Sequence, residues 1–411
     1  MITYKEAINI LIHALQPLPD FKIASEQAHG VLARDVISTE EVPNFSNSAM
    51  DGFAVRSVET NGANEDNPVR LEVRGCILAG ELAPEINQTE SCCEIMTGSV
   101  MPTDFDAVIP VEQVELIDKD GRAFIVINQS VQTGRNVRFS GEDFKPGQVV
   151  AKKGQLLNPH ILMAINANKI ESVSVYRPPN IGILTTGSEL ETVNQKENSP
   201  TIPNTNGPFL QSSIRRMGIP CNGMVSVGDS SQMILEKIQN FMDLESDIII
   251  ISGGVSAGKA DFVPGALRTL GAEILFHKVW IRPGKPILMA KLPTGQFVFG
   301  LPGNPVSVAV GFRFFVNQAI RILQDQALEE PISAINKNEF KKPEKFCFFA
   351  KAQTGYTQSG NLEAEILSGQ ESFKLSPFYQ ANSWMILPEG TDVIKAGEKI
   401  EIMPLHPGEA I

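Results

Sequence analysis

The 411-residue chain carries 35 Lys and Arg against 47 Asp and Glu, a formal net charge of −12, with 42% hydrophobic and 20% charged residues. That length calls for several domains of roughly 100–200 residues each. The acidic balance excludes a broad basic face for nucleic acid or an anionic membrane, while leaving room for a small local anion site.

The chain opens on polar, helix-forming sequence, "MITYKEAINILIHAL", rather than a secretory leader. No apolar run approaches the ~20 residues of a membrane span, so a cytoplasmic protein without membrane or nucleic-acid partners is expected. Thr3 with Glu6 makes a capping box, and Ile8, Leu11 and Leu15 fall on one face of the helix that follows. Residues 69–175 are β-rich: "VRLEVRG" alternates, and "DAVIPVEQVELI" and "AFIVI" predict further strands between Gly, Pro and Asn/Asp clusters. Asn158 and Pro159 supply an N-cap and first residue for a short helix through Lys169.

After residue 176 the texture changes. Strands "IGILTT", "CNGMVSV", "DIIIIS" and "FVFGL" alternate with helices "PFLQSSIRRMG", "SQMILEKIQNFMDLE", "FVPGALRTLG" and a long one from Pro305 to about Leu323. Nearly all-apolar strands between helices predict a parallel sheet covered on both faces, with ligands beyond the carboxyl ends of its strands. From about residue 330 the pattern returns to short strands and turns, as in a small β-barrel or sandwich. The five cysteines form no C-x-x-C pair, and adjacent Cys92 and Cys93 suit two sides of one strand. The five dispersed histidines give no zinc spacing.

Each α/β strand ends in a polar, glycine-rich turn. "TTGSEL" places Glu189 at the rim, "VGDSS" places Asp229, and "SGGVSAGKADF" supplies Gly253, Gly254, Ser256 and Asp261. "IRPGKP" adds Arg282 and Lys285, and "GLPGNP" adds Pro302 and Pro305. Glycine turns and helix N-termini present N–H groups to anions, Arg forks two oxyanion contacts, Lys adds a point charge, and carboxylates are hard ligands for Mg²⁺. Residues 253–259 have the P-loop spacing G-x-x-x-x-G-K, yet Ala260 stands where that motif needs a metal-binding hydroxyl, so Lys259 is expected to be dispensable. Three further acidic-glycine segments lie in the N-terminal half: "VPNFSNSAMDGFAV" with Asp51, "IMTGSVMP" with Thr97, and "NVRFSGEDFKPG" with Arg138, Glu142 and Asp143.

At "NSAMDGFAV", "IMTG", "GED", "TTGSEL", "SGGVSAGKADF", "RPGKP" and "GLPGNPVS", in that order over residues 42–307, the sequence resembles the molybdopterin molybdotransferase family, which includes MoeA and the gephyrin E domain. The resemblance implies insertion of molybdate into adenylylated molybdopterin with release of AMP, assisted by Mg²⁺. It implies a homodimer whose active site lies between subunits, supplied by a molybdopterin adenylyltransferase upstream. It also implies catalytic roles for Asp261, Asp229, Glu189, Asp51 and Asp143, with the first three as metal ligands. Ser256, Arg282, Lys285, Gly253, Gly254, Thr97, Pro302 and Pro305 match substrate-binding positions. Two departures stand out: Arg282 replaces the family's usual Lys, and Ala350, beside Lys351, stands where many members carry an Arg in an F-x-R segment.

The expected division is a linker domain of residues 1–44 with 138–176, whose first helix is able to pack on the α/β domain. A β-rich domain of 45–137, an α/β molybdopterin-binding domain of 177–326 and a C-terminal β domain of 327–411 complete it. The related adenylyltransferase activity and a non-catalytic pterin-binding scaffold are the alternatives. The former needs only the α/β domain; the latter would bind without releasing AMP.

Overall fold

The computed structural model describes residues 1–188, 201–255 and 262–409. The chain divides into two units, Lys22–Ser174, and Met1–Phe21 together with Val175–Ile411.

In the Lys22–Ser174 unit a six-stranded sheet runs in the order Ala107–Pro110, Gly52–Val55, Ser91–Ile95, Val69–Ile77, Arg122–Ile127, Glu115–Lys119. Neighbours are antiparallel except Val69–Ile77 with Ser91–Ile95. Strand alternation sends Phe53, Val55, Cys92 and Ile109 into one apolar cluster and Ala54, Cys93 and Val108 into another. The adjacent cysteines therefore face opposite sides. Burial pushes the Cys93 thiol up to about 11 and Cys92 further still, which leaves both protonated at neutral pH. "DAVIPVEQVELI" is broken by a 3₁₀ turn at Val111–Gln113. Asn158 caps the Pro159–Ala167 helix by accepting from Ile161 N–H, and the helix stops short of Lys169, whose φ is +53°.

In the other unit the α/β sheet runs Cys221–Val227, Ile181–Thr186, Ile248–Ser252, Phe297–Leu301, Leu288–Lys291, Glu273–His277. The first four strands are parallel. Leu288–Lys291 runs antiparallel to both its neighbours, Phe297–Leu301 and Glu273–His277, so the sheet that the sequence predicts as parallel is mixed at this edge. The reason is local: only residues 292–296, with Gly295 at φ +103°, join Leu288–Lys291 to Phe297–Leu301, whereas a parallel crossover needs about a dozen residues or more. The isoleucine strand splits its side chains between the two faces. Ile248 and Ile250 pack with helices Asn206–Arg216 and Pro305–Leu323; Ile249 and Ile251 pack with Ser231–Asp243 and Phe262–Thr269.

The first helix, Tyr4–Ala14, joins the former core through Ala7, Leu11 and Leu15, with Ile8 only half-buried. Its capping box is present as expected. The run Pro305–Leu323, 19 residues of mean hydropathy 1.4, is long and apolar enough to cross a membrane, contrary to the sequence expectation. The fold buries 89% of that apolar window, so a packed interior accounts for its composition.

The C-terminal strands Cys347–Tyr356, Leu362–Ile366, Ile332–Asn336, Lys399–Pro404 and Ser383–Leu387 close into a five-stranded barrel through pairing of the first with the last. The short strand Ile281–Arg282 adds to it, parallel to Cys347 and Phe348.

Candidate functional site

The parallel strands end together, and the turns that follow them build a cleft of ≈ 1130 Å³ within the Val175–Ile411 part of the chain. Arg282, Lys285, Gly254, Pro302 and Pro305, all singled out from the sequence, line it. Arg282 is exposed on the strand that joins the barrel, so the barrel edge sets its position. Lys285 extends past Trp280 and Phe346, its Nζ 5.7 and 6.0 Å from the ring centroids; stacking of that kind holds an ammonium without neutralising it.

The glycines are there for space. At Gly253, φ is +100° and an added Cβ would lie 2.3 Å from Thr186 O; at Gly254, φ is +63°. Gly253 N–H donates to Leu301 O at 3.0 Å, so its role is to seat the turn rather than to offer a free donor. Thr186 Oγ1 is buried beside both glycines with no hydrogen-bond partner among the described residues. Asn304 caps the Pro305–Leu323 helix by backbone geometry alone and turns its side chain to Ser372 Oγ at 2.9 Å.

Asp229 does not line this cleft. It sits past Val227, where its Oδ2 accepts from Ser188 N–H at 3.1 Å and Ser188 Oγ–H at 3.0 Å. Glu189, Ser256, Lys259 and Asp261 lie outside the described residues. Among the described residues no group of three or more His, Cys, Asp or Glu is placed to hold a metal ion. Asp229 still fits a magnesium ligand chemically, because Mg²⁺ takes one or two carboxylates and completes its shell with water and substrate phosphate oxygens.

In the Lys22–Ser174 unit the three acidic-glycine segments converge. Strand Asn47–Ser48 pairs with Val137–Arg138, and Gly98 N–H donates to Ser48 O. Asp51 Oδ1 accepts from both Thr97 N–H and Thr97 Oγ–H, each at 2.7 Å. These bonds hold the Asp51 carboxyl below the usual carboxylate range, the side-chain bond first. Asp143 pairs with Arg138 at 3.3 Å, both about half-exposed.

Sequence reasoning passed over several residues that shape the cleft. Asn206 Nδ2 bridges Ser252 Oγ and Gly303 O at 2.9 and 2.7 Å, tying the isoleucine strand to the "LPGNP" turn. The Asn-rich "IPNTNG" before a helix was the available signal. The barrel loop of residues 367–375 forms one wall of the cleft, and nothing local in "LSGQESFKL" announces that contact. Ala350 faces the barrel interior beside Phe348 and Ala352, and Lys351, next in the strand, turns the other way, toward the loop that forms the cleft wall.

Residues 2–167 match the family described as MoeA N-terminal region (domain I and II), 182–322 the probable molybdopterin binding domain, and 333–405 the MoeA C-terminal region (domain IV). A molybdopterin molybdenumtransferase of Synechococcus elongatus is 33% identical over 98% of this chain and 100% of its own length. One from Bacillus subtilis is 31% identical over 98% of this chain and 94% of its own. The molybdopterin biosynthesis moeA protein from Pyrococcus horikoshii superposes with a TM-score of 0.81 at 28% identity, covering 98% of this chain and 99% of that one. With its three regions matched in order and full-length relatives above 30% identity, the chain belongs to the MoeA family of molybdopterin molybdenumtransferases.

Proposed function

We propose that this chain inserts molybdate into adenylylated molybdopterin and releases AMP. The observation that carries the reading is the cleft itself: Arg282 and Lys285 project into a large cavity at the carboxyl edge of the sheet, beside tight glycine turns and a helix N-terminus. Arg282 forks two oxygens of the tetrahedral oxyanion, and Lys285 adds a point charge that its aromatic neighbours leave free. Pro302 and Pro305 stiffen the opposite turn, so its geometry is set before the anion arrives. Release of AMP breaks the phosphoanhydride as a water oxygen forms the new P–O bond, leaving AMP and the pterin phosphate, and the two cations stabilise the charge that gathers there. No Ser or Cys nucleophile is required. Magnesium, when bound by Asp229 with Glu189 and Asp261, supplies charge neutralisation on the phosphates. Asp51, Thr97 and Asp143 complete the site from a second copy of the chain in a homodimer. Five unpaired cysteines suit the reducing cytoplasm, where a molybdopterin adenylyltransferase would hand over the substrate.

Purified protein mixed with adenylylated molybdopterin, molybdate and magnesium should release AMP. Absence of AMP under these conditions overturns the reading. Arg282→Ala should raise KM for molybdate at least about tenfold, the scale of one charge-assisted contact, with unchanged thermal stability.

A further inference from the structure

Lys351 is a fully enclosed cation. Its strand, Cys347–Tyr356, alternates: Ala350 and Ala352 fill the barrel core, and Lys351 points the other way. Among the described residues no carboxylate reaches its ammonium. Instead Nζ donates to Gly369 O at 2.8 Å and Lys374 O at 2.9 Å, with Glu371 O at 3.5 Å. The ring centroid of Phe378 lies 5.5 Å from Nζ. The backbone of the same residue grips the same loop, since Gln370 Oε1 accepts from Lys351 N–H and Gln370 Nε2–H donates to Lys351 O, both at 2.9 Å. The nearest titratable groups, Glu371 and Lys374, pair with each other at 3.2 Å on the exposed side.

Residues 367–375 are the barrel's contribution to the cleft wall. From this loop Ser372 reaches across twice: its Oγ accepts from Asn304 Nδ2 at 2.9 Å and its carbonyl from Val306 N–H at 3.1 Å. One buried ammonium therefore stands behind a loop that is latched to the start of the Pro305–Leu323 helix. Burying an unpaired charge is costly unless carbonyls satisfy it, and these carbonyls come from one short loop in one conformation.

We propose that Lys351 is the positioning residue of the cleft: its enclosed ammonium gathers the carbonyls of residues 369–374 and so fixes the wall that meets Asn304. Lys351 does not touch the anion in this arrangement; it acts through Ser372 and the loop. The functional consequence rests on the proposed molybdate reading, whereas the structural arm is tested without substrate, so the two fail separately. Burial lowers the Lys351 pKa to about 8. At pH 7 the group is therefore still an ammonium and keeps all three donors for the loop carbonyls.

The test is amide hydrogen exchange on the ligand-free full chain at pH 7, with methyl resonances of Leu367 and Leu375 followed from pH 6.5 to 10. Lys351→Met should speed exchange in residues 367–375 at least about tenfold while the strand Ile332–Asn336 stays protected. Lys351→Arg, which keeps charge and donors, should restore most of that protection. In the wild type both methyl signals should titrate together near pH 8, and in both variants they should stay flat. In turnover the Lys351→Met loss should fall on KM for molybdate and be rescued by Lys351→Arg. Unchanged loop exchange in Lys351→Met overturns the proposal, as does an equal loss of protection throughout the barrel.

Discussion

Asp51 shows what a single pair of hydrogen bonds does to a carboxylate. Thr97 donates twice to one oxygen, which leaves Asp51 ionised and its other oxygen open to solvent or a ligand. Because the folded pKa is depressed, whatever stability Asp51 contributes is present above its unfolded pKa and is lost as pH falls through the lower folded value. Thr97→Ala should move the carboxyl back up into the ordinary range, as read by NMR titration of the Asp51 side chain; an unmoved titration would remove Thr97 as the cause. Both residues were legible as polar groups in glycine turns, but their contact was not, since 46 positions separate them. Arg282 and Lys285 were legible for a better reason: "RPGK" combines two cations with the rigidity of proline and a glycine at φ +103°. Lys351 was nearly invisible, because a lone lysine in "FCFFAKA" reads as one polar position in a strand.

At the scale of elements, the glycines distinguish turns from close packing. Gly52, in "AMDGF", looked like part of an acidic loop. It begins a paired strand, and a Cβ there would lie 2.0 Å from Ile109 O, a backbone atom held by the sheet. Gly182 is also crowded, but by the Phe241 ring at 2.5 Å, a side chain with room to rotate. Gly52→Ala should therefore cost about 3 kcal/mol and Gly182→Ala about 1–2 kcal/mol in denaturant unfolding. The reverse order would show that sheet backbone yields more easily than the Phe241 packing. The four parallel strands and their helices were legible because apolar runs and caps are local signals. Glu273–His277 and Leu288–Lys291 were not predicted at all: residues 278–287 between them leave the sheet to add the Ile281–Arg282 strand to the barrel, and their pairing is set by the sheet rather than by a local turn signal.

At the scale of the whole molecule, the candidate site residues fall into two groups on two separate units of the chain. Arg282 and Lys285 belong to the cleft, and Asp51, Thr97 and Asp143 to the other unit. The proposed homodimer makes a specific statement about them. Assayed at molybdate well below KM, where Arg282→Ala is itself nearly silent, an equal mixture of Arg282→Ala and Asp51→Ala protomers should restore activity to about a quarter of wild type, because half of the dimers are mixed and each of those holds one intact site. Two inactive parents that give an inactive mixture, under conditions where subunits exchange, would exclude a shared site. Sedimentation should show a species of twice the 44.8 kDa chain mass at micromolar concentration.

The sequence by itself determined the local chemistry: which strands are buried on both faces, where helices start, which turns are rich in glycine, and which cations accompany them. The family resemblance rested on the same local words in the same order. Tertiary structure alone decided what meets what. It sent Ala350 inward and Lys351 toward the cleft, set Asp229 outside it, brought the 367–375 loop onto the Asn304 turn, and placed Thr97 on Asp51. Periodicity and turn chemistry act over a few residues, so one sequence can display them. Contacts between strands and loops far apart in the chain depend on sheet order and barrel closure, and those arise only when all the apolar faces are buried together.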